Sequence, residues 1–596
     1  MINWNRQDKI SSNQGNILTL IVLIFFSSII GRLFWLQIIK GSFYRTLSEE
    51  NRIRLVANPP IRGKITTENG RLLADNQLRF TLIAQPHLIG KKELPALIKR
   101  LSILLKVNPD VLNLSYQKGI LNNDFSIVLL TSLTNTQVLH FKEHESIFPG
   151  FQVNTELIRY YPNGNFASHV LGYTQLITFD EFKKLSSQGY KIKDVIGRSG
   201  LEAVFERHLR GKWGGEMLEV DAAGNIQRSI GYQPPLAGND LQLTLDFNLQ
   251  KAAEKALEDK SAGAIVVLEP NTGAIKAMAS RPGFDPNFFT KPIRTQKEFE
   301  EIFLSSKRPL LSRALNAYDP GSTWKIVTGM AGMESGKFKP NVRLETASCI
   351  KYGSHCFPEH NRKGWGEIGF EDAFRVSSNT FFYQIGAAVG IEQLYDSAIK
   401  LGFNNRTGVE TSLEESRGFV GTKEWAAAGR GWGRPGTTPW IPEDIASASI
   451  GQAVVQVTPL QLARAYSVFA NGGYLITPHF VDGGIDWLSS KYRKEVDIKP
   501  STLETITRGL KKVVDSGTGR NLKWNLPTLP PTAGKTGTAE DSTGGSDHAW
   551  FACFAPYESS EIVVVAFAQN TPGGGSVHAL PMAQQILKVW HDQSLE

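Results

Sequence analysis

The chain has 596 residues, 41% of them hydrophobic and 20% charged, with a net charge of +8. Those proportions belong to folded globular protein and exclude a disordered chain, while the length implies about three to four domains rather than one core. The positive surplus favours contact with a polyanion such as a cell wall or a headgroup layer, but no run of Lys/Arg is interleaved with aromatics, which argues against nucleic acid.

The first element is an apolar run, Ile17 to Ile39, with Arg32 as its single charge. At a rise of about 1.5 Å per residue it is long enough to cross a bilayer. It lacks the short apolar region and small-residue cleavage site of a signal peptide, so it reads as an uncleaved signal anchor behind a short tail, 1–16. Arg6 and Lys9 precede it and Lys40 and Arg45 follow it, so the charge rule does not decide orientation. Arg32 either snorkels to the interface or faces a partner.

Residues 40–239 carry no catalytic constellation. Pro59-Pro60-Ile61-Arg62-Gly63 is a rigid extended piece ended by a Gly turn, Leu94 to Leu105 has helical periodicity, and Gly197 to Gly224, glycine-rich and charged around a helical core GLEAVFERHLRG (200–211), reads as a structural connector. From Asp240 the pattern changes. Leu241 to Asp246 alternates like a strand and Asn248 to Leu257 reads as a helix. Ala264 to Glu269 and Ala274 to Ala279 are strand-like across the turn Pro270-Asn271-Thr272-Gly273. Three more strands are expected at Thr532–Glu540, His548–Phe554 and Glu561–Gln569, then a helix at Leu580–Trp590. The simplest architecture is α+β: one five-stranded antiparallel sheet built from both ends of the 240–596 region, with a helical insertion between.

Three motifs lie in order along that region: Ser322-Thr323-Trp324-Lys325, Ser377-Ser378-Asn379 and Lys535-Thr536-Gly537-Thr538. Each alone has a bland reading as a helix cap, a turn or a strand end. As an ordered set, Ser-x-x-Lys, Ser-x-Asn and Lys-Thr-Gly describe an acyl-serine site. Ser322 is the candidate nucleophile, opening a helix that runs to Ser335. No Gly-x-Ser-x-Gly elbow surrounds it, so Lys325, three residues on and on the same helix face, is the candidate base. It must be neutral, whereas a free lysine titrates near ~10.4; burial and a second cation, Lys535, push it down. Ser377 is placed to pass a proton to the leaving amine, and Asn379 to hold a peptide amide and fix the lysine. The N–H groups of Ser322 and Thr538 suit an oxyanion hole. Lys535 and Thr536 suit a substrate carboxylate, and Gly537 lets a backbone approach closely.

With these residues the chain resembles the class B penicillin-binding proteins, the membrane-anchored transpeptidases of bacterial walls. Arg62-Gly63 with Asn69-Gly70, Arg159-Tyr160-Tyr161-Pro162 with Ala167–Gly172, and Gly200-Leu201-Glu202 with Leu209-Arg210-Gly211 resemble the family's non-catalytic motifs. Ser449-Ile450-Gly451-Gln452 resembles a segment near its active site. Gly197–Glu202, Ser378–Tyr383 and Asp547–Phe551 are most similar to the elongation branch, penicillin-binding protein 2. The resemblance implies a single transmembrane helix (17–39), an elongated mixed α/β pedestal of the dimerisation type (40–239) and a penicillin-binding transpeptidase domain (240–596). It also implies a D,D-transpeptidase that cross-links stem peptides from lipid-linked precursor and is acylated by β-lactams. A SEDS-family glycosyltransferase would be its membrane partner, and the catalytic domain would stand in the periplasm. No cofactor or metal is implied. The alternatives are the division-type enzyme, a β-lactamase or β-lactam sensor, and a non-catalytic activator of a glycosyltransferase. Two departures stand out: Thr66-Thr67-Glu68 where the family has x-Asp-Arg, and Ala453 where a Gly is common. Cys349 and Cys356, with His355 and His360 nearby, allow a disulfide, free thiols or a zinc site, in that order of preference. Cys553 alternates within a strand and reads as core.

Overall fold

A computed structural model describes residues 12–40, 53–90, 92–121, 126–192, 194–220, 226–291, 294–353, 355–427, 442–522, 526, 528–541 and 545–595. Most of the expected N-terminal tail, with Arg6, Lys9 and Arg45, lies outside these. The chain forms two compact units, 1–61 with 211–237 and 62–210 with 238–596.

In the first unit, helix α1 (Ser12–Phe34) continues as a short π-helix over Trp35–Ile39. Leu20–Ile39 is long and apolar enough to cross a membrane. Arg32 lies over the Trp35 ring, 4.6 Å from its centre, so a neighbour in its own helix engages the one charge in the span. The same unit holds a three-stranded antiparallel sheet in which Gly214–Val220 lies between Ile53–Asn58 and Ile226–Gln233.

The second unit is built on one central sheet. Its strands are β1 (Gly263–Leu268), β2 (Ile275–Arg281), β3 (Ala533–Ala539), β4 (His548–Ala555) and β5 (Ile562–Ala568). They lie in the order β2-β1-β5-β4-β3, antiparallel throughout, so β3 is an edge. The period-2 pattern splits the core between two faces. Ile265, Val267, Phe551, Cys553 and Val564 pack with the helices Phe247–Ala256 and Ala579–Leu595. Val266, Trp550, Ala552, Val563 and Val565 pack with α2 (Lys325–Glu334) and α3 (Pro459–Ala470) of the insertion. The strand expected over Leu241–Asp246 is only Leu241–Gln242, paired with Ile65–Thr66. Leu243 N–H makes the last bond to that strand, at Thr66 O, and from Thr244 the backbone turns away, its N–H donating to Phe480 O.

The three pedestal motifs meet at one buried carboxylate. Glu202 accepts from Arg62 Nε at 2.7 Å and Arg159 Nε at 2.6 Å, while Arg159 Nη1 reaches Gly63 O at 2.7 Å and Tyr161 Oη lies 3.2 Å from Glu202. Burial alone would raise the Glu202 pKa, but the two guanidinium groups outweigh it and hold the carboxyl below its usual range. The connector reading of Gly197–Gly224 thus has a physical content: the segment carries the anion that fastens Arg62, in the extended piece before Ile65, to Arg159, on the strand Phe151–Tyr160. The departure at Thr67 is also accommodated. Its hydroxyl bonds Asn69 Oδ1 at 2.6 Å and accepts from Arg71 N–H at 3.1 Å, closing the turn that Gly70 completes at φ +77°.

Removing the Glu202 charge strips the buried Arg159 of the carboxylate it pairs with and leaves Arg62 with Glu206 alone, 2.7 Å from its Nη2. Glu202→Gln is expected to cost about 3–5 kcal/mol of stability, read by thermal or denaturant unfolding of the wild type and variant. A loss below about 1 kcal/mol, the range of an exposed pair, would contradict this role.

Candidate active site

The site forms where the insertion meets edge strand β3. Ser322 is not in the first turn of an α-helix, as expected, but in a 3₁₀ turn, Gly321–Trp324, that leads into α2. Gly321 enters the turn at φ +53°, and a side chain there would come within 2.4 Å of Thr538 O. Three groups pin the turn. Gly321 N–H donates to Gly451 O at 2.9 Å, Tyr466 Oη to Thr323 O at 3.0 Å, and Trp550 Nε1 to Asp319 O at 2.9 Å. The segment Ser449–Gln452 thereby reaches the site, as the resemblance implies, and Thr328 Oγ1 donates to Ser449 O at 2.7 Å. Ala453 sits at φ +61°, where a side chain is strained and glycine is not.

Lys325 is fully buried. Its Nζ donates to Ser377 O at 2.7 Å and to Asn379 Oδ1 at 2.8 Å, and lies 3.3 Å from Ser377 Oγ. Lys535, equally buried on β3, places its Nζ 2.8 Å from the same Ser377 Oγ and 3.0 Å from Thr536 O. One hydroxyl therefore bridges two lysines. Ser377 pays for this position in backbone strain, with φ +57°. Ser322 is partly exposed, and among the described residues its Oγ makes no hydrogen bond. The strand and the turn lie against each other. A side chain at Gly537 would meet Thr323 Cγ2 at 2.9 Å and Pro320 O at 3.0 Å, so the chain's own backbone already uses the close approach expected for a substrate. Thr536 Oγ1 bonds Thr518 Oγ1 at 2.7 Å, and Thr538 Oγ1 accepts from Gly575 N–H at 3.4 Å.

The electrostatics follow from burial. Desolvation pushes Lys325 down to about 7, with the Glu359 carboxylate acting in the opposite direction. Desolvation and the charge of Lys325 push Lys535 far below the ordinary lysine range. Two ammonium groups on one hydroxyl in a dry site do not both stay charged near neutrality, so a neutral lysine is available as a base.

Comparison with known proteins decides the family. The penicillin-binding protein transpeptidase domain matches residues 263–588, more than half of the chain. The chain belongs to the penicillin-binding protein transpeptidase family. The penicillin-binding protein dimerisation domain matches residues 57–243. The peptidoglycan D,D-transpeptidase MrdA of Acinetobacter baumannii is 32% identical over 96% of this chain and 86% of its own. Among solved structures, penicillin-binding protein 2 of Helicobacter pylori in complex with MreC aligns with TM-score 0.79 and 26% identity, over 91% of this chain and 99% of that one. A peptidoglycan synthase complex that coordinates polymerization and crosslinking aligns with TM-score 0.73 and 30% identity, over 97% and 98%.

Two residues of this penicillin-binding protein's site escape sequence reasoning. Thr518 follows a helix, Pro500–Ser516, and only its Gly-Thr-Gly setting marks it. Glu359 closes a hairpin, Cys349–Tyr352 with His355–Pro358, across which Cys349 and Cys356 form a disulfide with Cα atoms 5.7 Å apart. Nothing in its local sequence marks it, because its partners come from the Ser377–Asn379 loop.

If neutral Lys325 is the reacting form, acylation of Ser322 rises with pH through about 7 and levels above it, since the lysine loses its proton as pH climbs past its pKa. Stopped-flow acylation by a fluorescent penicillin over a pH series checks this. A rate that is flat through neutrality would contradict it.

Proposed function

We propose that this chain is an elongation-type peptidoglycan D,D-transpeptidase, with Ser322 as nucleophile, Lys325 as base, Ser377, Asn379 and Lys535 as the other catalytic groups, and Thr536–Thr538 as the substrate cradle. The observation that carries this is the pair of buried lysines meeting on Ser377 Oγ, one turn of chain from a serine hydroxyl that has no hydrogen-bond partner among the described residues. In the first half-reaction neutral Lys325 takes the Ser322 proton as Oγ adds to the D-Ala-D-Ala carbonyl. The oxyanion lies between the N–H groups of Ser322 and Thr538. Collapse breaks the peptide C–N bond, and Ser377 relays a proton to the departing D-alanine amine. A stem-peptide amine then attacks the acyl-serine and regenerates the hydroxyl, closing the cross-link. Substrate carboxylate at Lys535 and Thr536 holds charge on Lys535 and so favours the neutral form of Lys325. A β-lactam stops the same sequence at the acyl-enzyme.

The proposal extends to placement. The span at Leu20–Ile39 would anchor the chain in the bacterial inner membrane, with the pedestal (40–239) and transpeptidase domain (240–596) in the periplasm. The partner would be a SEDS-family glycosyltransferase that polymerises glycan from lipid-linked precursor. Support comes from relatives solved with MreC and in a synthase complex.

Reconstitution of the full chain with such a glycosyltransferase and lipid-linked precursor tests the reading. Cross-linked muropeptide dimers and free D-alanine are expected from the wild type, and neither from Ser322→Ala or from penicillin-treated enzyme. Undiminished cross-linking by Ser322→Ala would defeat it.

A further inference from the structure

Glu359 is nearly inaccessible to solvent, at 1% exposure, yet it is a carboxylate within the electrostatic reach of Lys325. Its hydrogen bonds explain how it is held. Ser378 Oγ donates at 2.5 Å, Thr380 Oγ1 at 2.6 Å, Asn379 N–H at 2.8 Å, Thr380 N–H at 3.1 Å and His360 N–H at 2.7 Å. Two of these donors are the first N–H groups of the helix that opens at Asn379 and is broken at Gly390 (φ +82°), and no group within the helix can satisfy them. Ser378 is that helix's cap, accepting from Phe381 N–H at 3.2 Å while giving its own proton to Glu359. The anion thus grips both residues that follow Ser377, the residue strained into the left-handed region so that its carbonyl and hydroxyl both face Lys325.

We propose that Glu359 is a positioning residue of the acyl-transfer site, its buried carboxylate being the fixed anion that holds Ser377 and Asn379 on Lys325. The inference deepens the acyl-serine reading and rests on it. Glu359 itself touches no reacting atom. A glutamine in its place is isosteric, but it has a single acceptor oxygen and turns an NH₂ toward donors, so the loop loses its clamp. The carboxylate also contributes charge. Burial would raise its own pKa, but the donors from Ser378, Thr380, Asn379 and His360 outweigh that and keep it ionised. The titratable groups that feel it or Lys325 are Lys535 on β3, Tyr383 on the helix that opens at Asn379, and His360 on its own loop. Burial, then the charges of Lys325 and Lys535, depress His360; burial, then Glu359 and Glu540, raise Tyr383. Of these, Glu359 is the one that favours the charged form of Lys325. Losing it moves the lysine further down, so the acid limb of the acylation profile shifts to lower pH. A purely structural residue would leave the limb in place.

The test is the pH profile of acylation by a fluorescent penicillin for full-length wild type, Glu359→Gln and Glu359→Asp. Glu359→Gln is expected to acylate about 10- to 100-fold more slowly on the plateau, the scale of a small misplacement of reacting groups, with its acid limb at lower pH. Glu359→Asp keeps the charge on a shorter arm. It is expected to be slowed with its limb unmoved, and it carries the test if the glutamine variant does not fold. Wild-type rates in either variant, or a Glu359→Gln limb that stays in place, would overturn the assignment. A reactive wild type beside an indifferent variant removes this inference alone. A wild type that takes no adduct at all removes the acyl-serine reading with it.

Discussion

Two lysine side chains and one serine hydroxyl meet in the dry interior of the domain, and the rest of the site depends on that encounter. Taking an ammonium group out of water is costly, and placing a second one beside it costs more. The chain meets the cost partly by surrendering a proton and partly by hydrogen bonds, from Lys325 to Ser377 O and Asn379 Oδ1 and from Lys535 to Thr536 O. The result is a lysine that can work as a base in neutral water without a histidine and without a metal-bound hydroxide. It also explains why the three motifs are inseparable. The lysines of the first and third motifs both reach the hydroxyl of the second.

The fold makes the encounter possible by joining distant stretches of chain. The central sheet is assembled from residues near 265 and residues near 550, so the edge strand carrying Lys535 comes to lie against the turn carrying Ser322. Glycines at 321 and 537 let the two backbones touch. The insertion brings in Ser377 from a third direction, and its strained φ persists because partners on both sides over-determine it. The hydrogen bonds that hold the loop and the turn thus converge where a small displacement would part Lys325 from Ser322.

Much of this was legible in the sequence, for reasons that can be named. The five strands of the sheet alternate or run apolar between turn signals, so each was placed to within a residue or two, and their common sheet followed from their number and order. The motif residues were legible because their spacing is tied to chemistry. What could not be read depended on contacts between remote segments. Leu241–Asp246 alternates like a strand, yet only Leu241–Gln242 finds a strand partner. The Ser322 turn is 3₁₀ because Gly451, Tyr466 and Trp550 grip it from elsewhere in the chain. Glu202 and Glu359 are each a single acid in an ordinary loop or helix until the fold surrounds them with donors. For the cysteines, spacing allowed several states, and the hairpin register that brings Cys349 and Cys356 together was not visible in composition.

The proposed chemistry stands or falls on whether Ser322 is acylated and then deacylates slowly. Intact mass and peptide mapping of the full chain after brief exposure to a penicillin test it most directly. One persistent penicilloyl group per chain is expected, on the peptide that contains Ser322. An adduct on another residue, or a chain left unmodified while the drug is hydrolysed, would contradict it.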